Sequence, residues 1–156
     1  TERLVLHAVD VDEAERIVAR QPGPHDAWAP DFPFDGDVIG ATMFVRATRA
    51  HGDQQPFGHY VVIRSADGQA IGGIGFKGQP EDGTAEIGYG LAPSGRGNGF
   101  AAEAVLALAD LAREYGLSRL VADTREDNTA SRTTLEHAGF ATTGARDDLI
   151  VYELEL

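Results

Sequence analysis

The sequence predicts an α+β fold, a central sheet with helices on its faces. Three observations carry that prediction. Short apolar runs follow one another around Asp67-Gly68, which is a hairpin signal. Stretches of helical periodicity are interleaved with those runs. A glycine-punctuated stretch, Ser94 to Ala104, joins an apolar strand to a long amphipathic helix.

Arg3 to Val9 sets Leu4 and Leu6 against Val5 and His7 and reads as an opening strand. Asp10 or Asp12 can cap a helix running to about Arg20. Gln21 to Asp37 follows, a loop-like segment holding four of the seven prolines. It is too apolar for a linker, because it carries Trp28, Phe32 and Phe34. Those aromatic residues either pack on the core or form one wall of a substrate pocket, since loops on a rigid scaffold carry specificity. Val38 to Ala50 reads as a second helix closed by Gly52. Tyr60 to Arg64, Gln69 to Phe76 and Thr84 to Leu91 read as strands. The helix from Ala101 to Tyr115 sets Glu103, Asp110, Arg113 and Glu114 against Val105, Leu108, Ala109 and Ala112. Leu120 to Thr124 is a strand, and Asn128 to Ala138 a helix stopped by Gly139. Phe140 to Thr143 and Leu149 to Leu154 close the chain as a strand pair. At 156 residues, 1–156 is expected to be a single domain.

Composition narrows the function. Hydrophobic residues make up 42% and charged residues 24%, ordinary for a soluble domain. No apolar run approaches 18 residues, and the N-terminus lacks a signal-peptide layout, so the cytoplasm is the expected compartment. There is no cysteine, which excludes disulfides, thiolate metal ligands and a Cys nucleophile. His7, His25, His51, His59 and His137 are scattered without metal-ligand spacing, so no metal is expected. The net charge of −12 argues against nucleic acid or an anionic membrane as partner. It is compatible with a cationic substrate such as an amine, and fits better still a solvated acidic surface that serves solubility. A homodimer is the commonest assembly of soluble homo-oligomers.

Chemistry concentrates in two stretches. In the first, Gly95, Gly97 and Gly99 alternate with Arg96 and Asn98 before the long helix. Such a turn lets backbone N–H groups approach a ligand and form an anion nest. The helix N-terminus points its free N–H groups and positive dipole end at the same place. A phosphate-bearing ligand is the expectation, set against a plain glycine turn. The Walker pattern is absent, and the dinucleotide pattern at Gly97, Gly99 and Ala102 lacks the βαβ repeats that should follow it. Just upstream, strand parity puts Glu86, Gly88 and Gly90 on one face and Ala85, Ile87, Tyr89 and Leu91 on the other. In the second stretch, Asn128, Ser131 and Leu135 share a helix face.

Arg96-Gly97-Asn98-Gly99-Phe100-Ala101 resembles the acyl-CoA pyrophosphate loop of the GNAT superfamily of N-acetyltransferases. Asn128-x-x-Ser131 followed by Gly139-Phe140 resembles that superfamily's second CoA-contacting segment, so the resemblance covers roughly Thr84 to Phe140. Thr1 to Leu6 and Trp28 to Pro33 are similar to the ribosomal-protein N-terminal (RimJ/RimL-type) branch.

The resemblance implies a mixed, mostly antiparallel sheet splayed between Ala85–Leu91 and Leu120–Thr124, with acetyl-CoA as cosubstrate in the gap. Tyr89, Gly90 and Leu91 would contact pantetheine through backbone. Arg96, Gly97, Asn98, Gly99, Phe100 and Ala101 would cradle pyrophosphate, with Asn128 and Ser131 as polar contacts. The reaction implied is direct acetyl transfer to a primary amine, a peptide N-terminus or a small molecule, in a ternary complex. Glu86 is the expected proton acceptor, directly or through water. A backbone N–H from Tyr89 to Leu91 is the expected oxyanion donor. Many relatives carry a Tyr where this chain has Leu135, which leaves Ser131 or solvent to protonate the leaving thiolate. The other class of function is a non-catalytic CoA-binding sensor or interaction module.

Overall fold

The computed structural model describes all residues from Thr1 to Leu156. Seven strands form one sheet in the order β1-β2-β3-β4-β5-β7-β6. They are β1 (Leu4–Ala8), β2 (His59–Arg64), β3 (Gln69–Phe76), β4 (Thr84–Leu91), β5 (Arg119–Arg125), β6 (Ala141–Arg146) and β7 (Leu149–Glu155). Every neighbouring pair is antiparallel except β4 and β5, which run parallel. The helices are α1 (Val11–Ala19), α2 (Asp35–His51), α3 (Phe100–Glu114) and α4 (Thr129–His137).

Local chemistry explains the helix ends. Asp10 caps α1 by accepting the Glu13 N–H, and Arg20 closes it in the left-handed region at φ 55°. Asn128 caps α4 by accepting the Ser131 N–H at 3.1 Å. Helix α2 begins at Asp35, three residues before the start expected from periodicity. Pro33 and Gly36 made that entry look like loop. The Phe34 N–H donates to Asp37 Oδ2 at 2.8 Å, half of a capping box, and holds the first turn.

The core is a single cluster. Ile71, Ile74 and Ile87 from the sheet and Val105, Leu108 and Ala112 from α3 are all buried in it. Leu135 from α4 and Tyr152 from β7 extend it beyond β5. Leu135 is fully buried, so the position where many relatives place a Tyr serves packing here.

Candidate active site

The sheet opens at its middle. β4 and β5 pair only at Thr84–Arg119, Ala85–Leu120 and Glu86–Val121, and then diverge. β4 stays paired with β3 on its other edge up to Leu91. There the Lys77 N–H donates to the Glu86 carbonyl and the Ala92 N–H to the Ile71 carbonyl. Alternation along the strand therefore turns the amide groups of Ile87, Tyr89 and Leu91 away from β3; the pairing at Glu86–Val121 takes up the Ile87 N–H, and those of Tyr89 and Leu91 open into the gap. The Gly90 amide turns toward β3, and no atom lies within 4 Å of where a Gly90 side chain would begin.

Helix α4 forms the opposite wall. The Tyr89 hydroxyl lies 3.0 Å from Ser131 Oγ and 3.2 Å from the Ser131 carbonyl oxygen. Two hydroxyls thus meet across the gap. Burial raises the Tyr89 phenol above its ordinary value, opposed by its bond to Ser131, so it keeps its proton at neutral pH. Parity assigned Tyr89 to the apolar face and did not disclose this contact, which needs α4 to be placed.

The gap leads to the glycine loop. A single 3₁₀ turn, Pro93–Gly95, precedes it, and α3 follows with Gly99 as N-cap. Gly97 and Gly99 have φ of 84° and 77°, a region that favours glycine. None of the N–H groups from Gly97 to Ala102 has an acceptor within the protein. Six free donors around one turn fit a polyanionic diphosphate. Arg96 spends its Nε on the Leu91 carbonyl at 3.0 Å and stacks over the Phe34 ring. Arg3, which sequence reasoning did not single out, bonds the Asn98 carbonyl at 3.0 Å and lies over the Phe100 ring.

Beside the gap lies a cavity of about 590 Å³, walled by α2, β3, β4 and the start of α4. Tyr89, Gly90, Asn128 and Ser131 all line it. Trp28, Phe32 and Phe34 do not, so of the two expected roles the structure places Trp28 and Phe32 against the core. Trp28 packs edge-on against Phe32, Phe32 is buried in the core, and the segment is pinned by Ala27 and Ala29 to Ala70. Asp31 accepts both the Ser94 N–H and the Ser94 hydroxyl at 2.7 Å, which fixes the approach to the glycine loop. The apolar loop therefore braces the anion site.

Glu86 sits at the closed end of the gap. Its Oε1 accepts from Arg146 at 3.2 Å, and Arg146 also bonds Asp123 at 2.5 Å. Glu86 is not among the cavity's lining residues, whereas Asp123 and Lys77 are. The charge cluster joins the cavity to Glu86.

Two buried polar groups in the cavity were not anticipated. Asp37 is 4% exposed and His59 is 8% exposed. Burial pushes the Asp37 carboxyl up to about 6, against the bond from the Phe34 N–H. Burial pushes the His59 imidazole down to about 4. The Asp37 proton is held natively up to about pH 6 but lost near 3.8 in the unfolded chain. Its contribution to stability is therefore lost as pH rises through that window. His59 keeps its proton in the unfolded chain up to about 6.5 and natively only to about 4. Its contribution is lost as pH falls through nearly the same window. Each effect is on the order of 3 kcal/mol, and they oppose. Chemical denaturation from pH 4 to 6.5 should show a flat profile for the wild type and falling stability toward acid for Asp37→Asn. Parallel profiles would contradict the assignment.

No helix is long and apolar enough to cross a membrane. A family model described as an acetyltransferase (GNAT) domain matches residues 3–141. An uncharacterized N-acetyltransferase of Bacillus subtilis, YjdG, is 37% identical over 54% of this chain and 51% of its own length, so the match spans about half of that relative. A Bacillus licheniformis N-acetyltransferase, p20, is 28% identical over 95% of this chain and 84% of its own. The solved structure of Mycobacterium smegmatis RimJ in complex with CoA-disulfide shares the fold. Its TM-score is 0.70 at 22% identity, over 97% of this chain and 81% of that one.

Proposed function

The chain belongs to the acetyltransferase (GNAT) domain family, and from that premise we propose that it moves an acetyl group from acetyl-CoA to a primary amine within a ternary complex. The observation that carries this reading is the open β4 edge ending on the unbonded N–H groups from Gly97 to Ala102. One continuous path thus offers strand-like amide pairing and then diphosphate binding.

Bound acetyl-CoA supplies the thioester carbonyl that the amine attacks. The residues of this chain bind, orient and move protons around it. The N–H groups from Gly97 to Ala102 take the diphosphate. The Tyr89 and Leu91 amides pair with pantetheine, and the Asn128 Nδ2 donates from the far wall. A β4 N–H facing the gap stabilises charge growing on the carbonyl oxygen. Glu86 accepts the amine proton through water, because its Oε2 carries no protein hydrogen bond while Arg146 holds the other oxygen. Ser131 and Tyr89, whose hydroxyls meet across the gap, would supply a proton to the departing thiolate. The resemblance of Thr1 to Leu6 and Trp28 to Pro33 to the ribosomal-protein branch keeps a peptide N-terminus among the acceptor classes, beside small-molecule amines.

Release of free thiol from acetyl-CoA against a panel of amines tests the reading. Thermal stabilisation by CoA without thiol release from any amine would leave a CoA-binding module instead. For the leaving group, Ser131→Ala should lower turnover by no more than about tenfold, about 1.4 kcal/mol. A CoA thiol near the ordinary thiol value of about 8.5 leaves without full proton transfer, and the Tyr89 hydroxyl remains. Adding Tyr89→Phe should lower turnover by about tenfold more. A thousandfold loss in folded Ser131→Ala alone would make Ser131 the sole proton donor.

A further inference from the structure

At the α2 end of the cavity, away from the Glu86 cluster, Asp37 and His59 form a second polar site. Asp37 Oδ2 is occupied by the Phe34 N–H, but Oδ1 is fully buried and has no hydrogen-bond partner. A buried carboxylate oxygen without a donor is costly and calls for a water, an ion or a ligand group to complete it. The His59 ring nitrogens have no hydrogen bond in the protein either. The imidazole stands in a slot of glycines: a side chain begun at Gly40 would meet His59 Cε1 at 2.8 Å, and one at Gly73 would meet Nε2 at 3.0 Å. The same Gly73 position lies 2.9 Å from Asp37 Oδ1. Asp37 Oδ1 and His59 Nε2 therefore lie within about 6 Å of each other, over one point of β3.

Gly73 pairs with Gly90 across β3 and β4, so this point is one strand spacing, about 4.8 Å, from the edge that faces the gap. Ile39 and Met43, both exposed, line the same cavity from α2. The recess thus has an anionic and imidazole floor and an apolar mouth.

We propose that this recess is the acceptor site, and that it selects a primary amine on an apolar body, bound as an ammonium against Asp37 Oδ1 with His59 as a second acceptor. The assignment rests on the transferase reading and adds its substrate class. The desolvation of Asp37 is already met in the free protein, so an ammonium gains a charge-assisted bond without stripping further water from the carboxylate. Asp37 captures and orients the acceptor as an ammonium; the nitrogen then leaves that carboxylate for the gap, where Glu86 takes its proton through water before attack.

The probe is phenethylamine, titrated by calorimetry into wild-type protein saturated with CoA, alongside acetyl-CoA turnover with the same amine. Asp37→Asn keeps the acceptor for the Phe34 N–H and removes the charge. It should weaken phenethylamine binding and raise its KM by roughly 10- to 100-fold, with kcat within about threefold and CoA affinity unchanged. Gly36→Leu is the second variant. Gly36 lines the cavity with open space before it, and leucine favours a helix. It should exclude the amine while CoA still binds. Amine binding that is lost in both variants supports the recess even if no thiol is released; in that case the transferase reading alone fails. Absence of amine binding to the wild type, or wild-type affinity in both variants, overturns the recess.

Discussion

Glu86→Gln is expected to lower turnover by about 10²-fold while leaving CoA binding intact. The amide keeps an oxygen for Arg146, and Arg146 keeps its shorter bond to Asp123, so the cluster stays assembled. What is lost is the ability to take a proton from the amine. An ammonium has no lone pair, and every turnover requires that proton to leave. The loss should fall on kcat, with KM for both substrates nearly unchanged, and the acidic limb of the pH–rate profile should flatten. This separates Glu86 from Asp37, whose replacement acts on acceptor KM. Unaltered turnover with an unaltered profile would make the Glu86–Arg146 pair structural.

Gly99→Val should abolish most of the stabilisation that CoA confers. At a ligand concentration a hundred times Kd, a wild-type gain of about 2.7 kcal/mol is expected, which raises Tm by roughly 5–10 °C for a domain of this size. Gly99 is the N-cap of α3 at φ 77°. Valine there meets two penalties. A β-branched residue is strained at that φ, about 1–2 kcal/mol, and lowers the melting temperature without ligand. Its methyl groups also stand where diphosphate oxygens approach. Gly99→Asn tolerates the same φ and isolates the second effect. A full CoA-induced shift in both folded variants would place the diphosphate elsewhere.

Much of this site was legible in the sequence, for reasons that differ by element. The glycine loop and the strand before it are local: positive φ, a helix N-terminus and strand parity are all written in consecutive residues from Thr84 to Ala104. Asn128 and Ser131 follow from helical spacing, and the cap they form is local too. The Tyr89–Ser131 contact joins residues 42 apart in sequence and exists only because β4 and β5 diverge. The Asp37–His59 recess is assembled from α2, β2 and β3 at once. One signal for it was present: Gly73 and Gly75 alternate on β3 opposite Gly90 and Gly88. Four glycines on one face clear a floor for something other than a protein side chain. The aromatic segment stayed ambiguous because apolar bulk in a loop reads alike whether it lines a pocket or braces one. Asp31 on Ser94 ties that segment to the glycine loop.

The three-position junction between β4 and β5 has a consequence for the protein's life without its ligand. Tyr89 and Leu91 present strand N–H groups that no strand of this chain satisfies. Such an edge is a template for any extended chain. Unlike a rim strand, which charge or proline can guard, this edge has to stay open if acetyl-CoA pairs with it as proposed. On that reading the ligand would cover the edge as well as react, and the ligand-free protein is expected to aggregate more readily than the CoA-bound one.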